Sequence, residues 1–274
     1  MFVNTRRVIQ KCAKTSVASS FTRAMYSKKS TIIESQVNHF KQLQEQWWDE
    51  NGPIKPLHSL NKLRVPFVWD GLVNTGVVHK DLLLNENPQP LANLEILDAG
   101  CGGGILAEAL MRSGGTVTGI DPAKELLEIA KQHNISRNIN YYSVTIEEFS
   151  KENENKLDAV ITSEVIEHVC EVEVFLENCI RCLKPGGSLF VTTINQTLLA
   201  WLHIIVLAEI LFRQIPLGTH QYRNLVPLQR LLTILENNNC RIGTVRGMVY
   251  NYLNNDWYWT KTTAINYAVH AIKN

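Results

Sequence analysis

The chain has 274 residues, of which 45% are hydrophobic and 19% are charged, and its formal net charge is +1. This balance is typical of a globular protein and excludes a disordered, collagen-like or repetitive chain. No stretch reaches the roughly 18 consecutive apolar residues of a membrane-spanning helix, and the 6 cysteines are too sparse for a disulfide scaffold. We therefore expect a soluble or peripheral intracellular protein.

Residues 1–30 differ from the rest of the chain in charge. They carry seven of the 27 basic residues and no acidic one, which leaves 20 basic against 26 acidic residues, a formal charge of −6, in the remainder. The segment is rich in serine and lacks the continuous apolar core of a secretory signal. This composition predicts a mitochondrial transit peptide, with a disordered basic tail or a nucleic-acid arm as the alternative. The acidic remainder argues against a nucleic-acid partner.

Residues 31–90 are predicted to form a helical cap in front of the main domain. Apolar residues recur at helical spacing over about residues 34–51, and turn residues at 51–53 end this amphipathic helix. Residues 55–58 and 61–64 then lead towards a second, short helix. Residues 79–93 are rich in Asn and Pro and are predicted to be a loop.

Strands alternate with helices over residues 91–274. The predicted strands are 94–99, 117–120, 139–144, 158–162, 188–193, 241–249 and 264–272. The predicted helices are 105–112, 123–133, 146–152, 172–183 and 227–236. Because such alternation implies parallel pairing, we expect an α/β fold with a doubly wound, mostly parallel sheet of seven strands. The last strand alternates in polarity as an edge or hairpin strand would.

A glycine-rich turn, residues 100–104, joins the first predicted strand directly to a helix. Glycines allow a sharp turn and let backbone N–H groups approach a ligand at the helix N-terminus. Asp121 ends the next strand and suits a ribose-hydroxyl acceptor. The turn alone does not identify the cofactor, because residues 102–107 also fit a loose dinucleotide fingerprint.

Four motifs in order resemble those of the class I S-adenosylmethionine-dependent methyltransferases. They are residues 97–104, Asp121, Leu157-Asp158-Ala159-Val160, and Leu183-Lys184-Pro185-Gly186-Gly187. Four motifs at the right intervals are much more specific than one glycine turn. The resemblance implies a Rossmann-like methyltransferase fold, S-adenosylmethionine as methyl donor, and cofactor contacts from Gly100 and Asp121.

The flanking sequence is similar to one family among these enzymes, the ubiquinone-biosynthesis O-methyltransferases. The matching stretches include Trp47-Trp48-Asp49, Glu164 to Val169, Thr193-Ile194-Asn195 and Gly218-Thr219-His220. The similarity runs from about residue 37 to near residue 252. It implies methylation of a hydroxyl of polyprenylated catechols, namely polyprenyl dihydroxybenzoate and demethylubiquinol, and adds Arg64 and Ser163 to the cofactor site.

Glu164, Glu167 and His168 form an acidic cluster just beyond the strand 158–162. If a helix begins at Ser163, their spacing places all three on one face at the edge of the sheet where such folds bind ligands. A solvated helix N-terminus explains the same residues. The family resemblance favours a catalytic role with a divalent cation held by these three. Two carboxylates suit Mg²⁺, the imidazole leaves Zn²⁺ or Mn²⁺ open, and His168 could instead be the general base.

An insertion at about residues 196–220 contains a strongly apolar helix, residues 198–212, in which only His203 interrupts the apolar run before Glu209. This helix is too short to span a bilayer. It is either a buried core helix or an interfacial helix with Trp201 as an aromatic anchor. We favour the membrane, because the polyprenyl tail implied by the resemblance resides in the bilayer.

The resemblance implies an enzyme peripheral to the matrix face of the mitochondrial inner membrane, working within a multi-enzyme ubiquinone-synthesis complex. An NAD-dependent oxidoreductase is disfavoured, because the glycine turn is followed by residues 183–187, which resemble a motif of the methyltransferases. A catalytically silent assembly subunit is disfavoured by the intact Gly100, Asp121 and acidic cluster.

Overall fold

An eight-stranded sheet organises the residues that the computed structural model describes, which are 46–84, 89–134, 138–203 and 224–274. All of them belong to one unit, Thr31–Asn274. The strands are β1 (Glu95–Ala99), β2 (Thr116–Ile120), β3 (Ile139–Tyr142), β4 (Leu157–Ser163), β5 (Leu183–Ile194), β6 (Cys240–Asn251), β7 (Asp256–Thr260) and β8 (Asn266–Lys273).

Most of the helices agree closely with the periodic segments of the sequence. They are α1 (Lys55–Asn74), α2 (Ile105–Arg112), α3 (Lys124–His133), α4 (Ile146–Glu152), α5 (Val172–Cys182), α6 (Leu198–Trp201) and α7 (Leu228–Asn237). Two short 3₁₀ helices, Lys80–Leu84 and Ile166–His168, complete the described elements. The first of them lies in the stretch predicted to be a loop.

The sheet has the mixed, mostly parallel order β3-β2-β1-β4-β5-β8-β6-β7. Strands β1 to β5 pair in parallel, whereas β8 is antiparallel to both β5 and β6, and β7 is antiparallel to β6. Successive strand residues point to opposite faces, so Leu97 packs in one apolar cluster with α4, α5 and α7, and Ile96 in another with α1, α2 and α3. Both faces are covered, and the predicted doubly wound α/β class is confirmed.

The expectation of seven strands is one too few. The additional strand β7 contains three aromatic residues, Trp257, Tyr258 and Trp259, and pairs with β6 through a tight turn. The last strand, β8, is also not at an edge, since it lies between β5 and β6 and is buried on both faces. Its alternating polarity gave no sign of this position, which long-range pairing determines.

Helix α1 is much longer than the short helix predicted here, because it already begins at Lys55, in the stretch expected to lead towards that helix. It also continues through Pro66. Proline inside a helix removes a hydrogen bond. Here Leu60, Phe67 and Leu72 are almost completely buried, and this tertiary packing outweighs the local preference.

Several predicted features lie outside the described residues. They are the transit peptide (1–30), residues 34–45 of the amphipathic helix, the part of the apolar helix from 204 to 212, and Gly218-Thr219-His220. Within the part of the chain that is described, no helix combines the length and the apolar character needed to cross a bilayer.

Candidate active site

The carboxyl ends of the central parallel strands bring the predicted site residues to one edge of the sheet. Gly100 follows β1, Asp121 follows β2, and Ser163 ends β4. The strand order reverses at β1, because β2 and β3 lie on one side of it and β4 and β5 on the other. Open α/β sheets bind ligands in the crevice at such a switch point. The residues predicted to bind the cofactor therefore lie where this fold class binds ligands.

The glycine turn is held against the end of β2. The backbone N–H groups of Gly100 and Cys101 both donate to the carbonyl oxygen of Ile120, at 2.8 and 3.0 Å. Gly100 has a φ of +83°, and a Cβ there would lie 2.5 Å from Cγ2 of Val165. Glycine meets both conditions without strain. The turn therefore packs directly against the segment that carries the predicted acidic cluster.

Asp121 connects the end of β2 to the glycine turn. Its Oδ2 accepts from the backbone N–H of Gly102 at 3.0 Å, and its Oδ1 accepts from the backbone N–H of Ala123 at 2.8 Å. Desolvation raises the pKa of Asp121 to about 6, and these two donors oppose the rise. An ionised carboxylate can accept about four hydrogen bonds, so capacity remains for a ligand hydroxyl.

Two tryptophans that precede α1 cover the glycine turn. A Cβ on Gly103 would lie 2.2 Å from Cδ1 of the buried Trp47. Trp48 donates from Nε1 to the carbonyl oxygen of Gly103 at 3.0 Å, and its ring stacks on His133 with centroids 3.4 Å apart. These contacts could not be predicted from local patterns, because 55 positions separate Trp48 from Gly103.

Arg64 enters the site from α1, and only 5% of it is exposed. Its Nε donates to Oδ1 of Asn61 at 2.6 Å, and its Nη1 donates to Oγ of Ser163 at 3.0 Å. Asn61 in turn donates to the carbonyl oxygen of Ile105, the first residue of α2. Arg64 and Ser163, which the family resemblance assigned to the cofactor site, are thus in direct contact through their side chains.

Asp98 is a site residue to which the sequence analysis gave no role. It is 2% exposed, and its Oδ2 has no hydrogen-bond partner among the described residues. Burial raises the pKa of Asp98 to about 7; the charge of Arg64 opposes this rise and that of Asp121 adds to it. Burial also lowers the pKa of Arg64 to about 10, against the charges of Asp98 and Glu164. The only sign in the sequence that Asp98 has a role is that an acidic residue lies within an apolar strand.

The acidic cluster does not lie on one α-helical turn, because no α-helix begins at Ser163. Glu164 has a φ of +59°, which is incompatible with a right-handed helix, and a 3₁₀ helix, Ile166–His168, follows it. The spacing of the three residues therefore does not put them on a common helix face. A backbone hydrogen bond from Glu164 to the carbonyl oxygen of Thr192, at 2.9 Å, stabilises this conformation.

Two consecutive threonines of β5 hold the two glutamates. Thr192 donates to Oε1 of Glu164 at 2.9 Å, and Thr193 donates to Oε2 of Glu167 at 2.8 Å. Glu167 is 2% exposed, and its Oε1 has no hydrogen-bond partner among the described residues. Burial raises the pKa of Glu167, and the charge of Glu164 raises it further. The sequence hinted at these threonines only as polar residues that end a buried strand.

His168 ends the 3₁₀ helix, and its backbone N–H donates to the carbonyl oxygen of Val165 at 2.8 Å. Across residues 46–84, 89–134, 138–203 and 224–274, no three His, Cys, Asp or Glu side chains group closely enough to hold a metal ion. The pair Glu164 and Glu167 comes together, but the predicted set of three ligands is not assembled.

Comparison with known proteins gives consistent results. Residues 97–191 match the model of a methyltransferase domain. The chain is 40% identical over 279 residues to the mitochondrial ubiquinone biosynthesis O-methyltransferase of Rattus norvegicus, covering 100% of this chain and 79% of that one. The human mitochondrial counterpart is 43% identical over 256 residues, or 91% of this chain and 68% of that one. The ubiquinone biosynthesis O-methyltransferase of Pelagibacter ubique is 34% identical over 246 residues, which cover 89% of this chain and 100% of that one.

Solved structures support the fold. Magnesium protoporphyrin IX methyltransferase from Synechocystis PCC 6803, with bound S-adenosylhomocysteine, superposes with a TM-score of 0.50 at 20% identity, covering 76% of this chain and 84% of that one. This likeness concerns the architecture alone. The similarity to the rat and human enzymes extends over most of both chains, and together with the ordered motifs it shows that the chain belongs to the ubiquinone biosynthesis O-methyltransferase family of S-adenosylmethionine-dependent methyltransferases.

Proposed function

We propose that the protein transfers a methyl group from S-adenosylmethionine to a hydroxyl of polyprenylated catechols in ubiquinone biosynthesis, namely polyprenyl dihydroxybenzoate and demethylubiquinol. One observation carries this proposal. In a chain of this family, a glycine turn with Asp121 lies beside the half-buried Glu164 and the buried Glu167 at the same edge of the sheet. A nucleoside site next to an acidic pair suits a sulfonium donor and a phenolic acceptor.

The residues of the glycine turn would bind the donor. Asp121 would accept hydrogen bonds from the ribose hydroxyls, and its bond to Gly102 keeps the turn in place. Gly100 allows the backbone to approach the ligand closely. Arg64 donates to Ser163, the residue directly before Glu164, and both would contact the donor next to the acidic pair. The donor methyl would therefore face the acidic pair.

The reaction requires a nucleophilic oxygen and a proton acceptor. A carbon–oxygen bond to the methyl group forms as the carbon–sulfur bond breaks, so the donor leaves as S-adenosylhomocysteine and the phenol loses its proton. A phenol has an ordinary pKa near 10, so it needs help to ionise at neutral pH. Burial holds the pKa of Glu167 above its usual range, which suits it to accept a proton near neutrality when it does not hold a cation. His168 is the alternative base.

The acidic pair fits a divalent cation, and Mg²⁺ is the ion that two carboxylates favour. The two neighbouring carboxylates repel each other, Glu167 is buried, and its Oε1 has no partner among the described residues. Glu164 and Glu167 would hold the cation, and His168 would then be the base. When bound, the cation would lower the pKa of a catechol hydroxyl and stabilise the negative oxygen. A catechol has two vicinal hydroxyls that could both bind the cation, whereas an isolated phenol has only one, so the cation would favour a catechol.

We further propose that the protein works in the mitochondrion, on the matrix face of the inner membrane and within a multi-enzyme complex. The relatives from rat and human are mitochondrial enzymes. Leu198, Leu199 and Leu202, at the start of the apolar insertion, expose 69%, 51% and 45% of their surface. These leucines suit a lipid surface that holds a polyprenyl tail.

The acceptor specificity tests the proposed reaction. We expect the purified protein to methylate a short-chain prenyl catechol, and neither the meta-dihydroxy isomer nor a monophenol, with a chelator abolishing turnover and Mg²⁺ restoring it. Glu164→Gln and Glu167→Gln should remove most turnover. The control Glu154→Gln, an exposed residue paired with Arg181, should not. Full activity in metal-free buffer would contradict the cation, and equal turnover of all three acceptors would contradict the substrate class.

Membrane docking has a separate test. Changing Leu198, Leu199 and Leu202 together to Ser should reduce co-sedimentation with liposomes about ten-fold or more, since each buried leucine contributes roughly 1.5 to 3 kcal/mol. Turnover of a soluble, short-tailed catechol should be unchanged. The control Leu82→Ser removes an exposed leucine outside the insertion and should leave co-sedimentation unchanged. Unaltered liposome binding by the triple variant would contradict the lipid surface proposed here.

A further inference from the structure

Thr192 contacts Glu164 through both its backbone and its side chain. Its carbonyl oxygen accepts from the backbone N–H of Glu164 at 2.9 Å, and its hydroxyl donates to Glu164 Oε1 at 2.9 Å. Thr192 is 3% exposed and lies at the carboxyl end of a central strand. One residue of a rigid strand therefore fixes both ends of the glutamate.

Glu164 needs this support because its backbone is strained. Its φ of +59° lies in the left-handed region, which residues with a Cβ rarely adopt. Such conformations persist only where surrounding contacts enforce them, and they cluster at functional sites. The conformation ends β4 abruptly and turns the glutamate side chain towards β5.

A directed chain of hydrogen bonds connects Glu164 to Arg64. Arg64 Nη1 donates to Ser163 Oγ at 3.0 Å, and Ser163 Oγ lies 2.7 Å from Thr192 Oγ1. Because Thr192 gives its only hydroxyl proton to the carboxylate, the proton between the two hydroxyls must come from Ser163. Every hydrogen bond of the chain is therefore donated in the direction from the Arg64 guanidinium to the Glu164 carboxylate. In such an arrangement each hydrogen bond polarises the next.

We propose that Thr192 is a positioning residue, which holds the Glu164 carboxylate in its reactive orientation and couples it through Ser163 to the buried Arg64. This inference rests on the proposed function only in assigning Glu164 to the reaction site. The chain joins the donor side of the site to the acceptor side, so the acidic pair is aligned before an acceptor enters. Preorganised polar groups of this kind need no rearrangement during the reaction.

Three variants distinguish positioning from simple packing. Thr192→Val keeps the shape and removes the hydroxyl, whereas Thr192→Ser keeps the hydroxyl. Thr162→Val is the matched control, because Thr162 is fully buried in β4 and its Oγ1 has no hydrogen-bond partner among the described residues. With a short-chain prenyl catechol, Thr192→Val should lower kcat about ten-fold or more, since a hydrogen bond to a charged group is lost.

The dissociation constant of S-adenosylhomocysteine, measured by calorimetry, should change less than about two-fold in Thr192→Val, because Arg64 keeps its bonds to Asn61 and Leu57. Thr192→Ser should recover most of kcat, and Thr162→Val should match the wild type. A kcat for Thr192→Val equal to that of Thr162→Val would overturn the proposal. Failure of Thr192→Ser to recover would also overturn it, because the methyl group and not the hydroxyl would then matter.

A thermodynamic cycle tests the contact without any substrate. Thr192→Val, Glu164→Ala and the double variant are unfolded in urea, and their unfolding constants are compared. Glu164→Ala changes the unfolding constant by some factor in the wild type and by another in Thr192→Val. We expect the factor in Thr192→Val to be at least about five-fold smaller. Independent effects would overturn the coupling. If the wild type transfers no methyl group, the proposed function fails while this cycle still decides the coupling.

Discussion

The contacts of Asp121 lead to an expectation with two separable parts. In Asp121→Ala, the backbone N–H groups of Gly102 and Ala123 lose the carboxylate to which they donate at 3.0 and 2.8 Å. The donor ribose loses the acceptor that we assign to it. The first loss affects folding and the second affects binding, so the two are measured independently.

The expected magnitudes follow from the kinds of bonds lost. Hydrogen bonds from ribose to a carboxylate contribute roughly 1.5 to 3 kcal/mol, which corresponds to about 10- to 150-fold weaker binding of S-adenosylmethionine. Asp121 is only partly buried, so water replaces it at the two backbone donors. We therefore expect a stability loss of about 1 kcal/mol, or roughly 2 to 4 °C in Tm for a chain of this size.

Calorimetry with S-adenosylmethionine and thermal denaturation measure the two parts. Asp158→Ala is the matched control, because Asp158 also accepts from a backbone N–H, that of Glu95 at 2.9 Å, but at the opposite end of the sheet. It should lose stability and keep its affinity. Unchanged affinity in Asp121→Ala would remove Asp121 from the donor site. An equal loss of affinity in Asp158→Ala would show that the effect acts through the fold.

Three further expectations concern the fold around the site. Burial lowers the pKa of His270 from 6.5 to about 4, so as the pH falls the unfolded chain binds a proton that the folded chain does not. Between pH 7 and 5 the free energy of unfolding, measured in urea, should fall by about 2 kcal/mol more in the wild type than in His270→Gln. The same dependence on pH in both proteins would contradict this. Thr162→Val should raise stability by about 1 kcal/mol, since it removes a buried hydroxyl without a partner; a lower Tm would refute this. Gly103→Ala should displace Trp47, shift its fluorescence and cost about 1 to 3 kcal/mol, whereas an unchanged spectrum would show that the ring does not lie on the turn.

Local patterns predicted the parts of the fold that local interactions determine. The helices Ile105–Arg112 and Ile146–Glu152 have the bounds that the sequence predicted, and in the second Thr145 and Glu148 form a capping box. The glycine turn and Asp121 were found because each ends a buried strand. In parallel sheets those ends share one edge.

Features that depend on distant contacts were not predictable in the same way. The spacing of Glu164, Glu167 and His168 indicates a common face only if the backbone is helical, and the strained Glu164 excludes that. Thr192, which holds Glu164, lies 28 positions away in the sequence. The length of α1, which continues through Pro66, depends on packing, and the pairing of β7 with β6 depends on a hairpin that no glycine marks.

Methyl transfer itself tests the central claim most directly. The protein is mixed in equal amount with S-adenosylmethionine labelled in its methyl group, and a short-chain prenyl catechol is added in excess with Mg²⁺. We expect one label per protein molecule to appear on a catechol oxygen, with unlabelled S-adenosylhomocysteine as the second product. Label that remains on sulfur, or that is found on carbon in place of oxygen, would contradict the account.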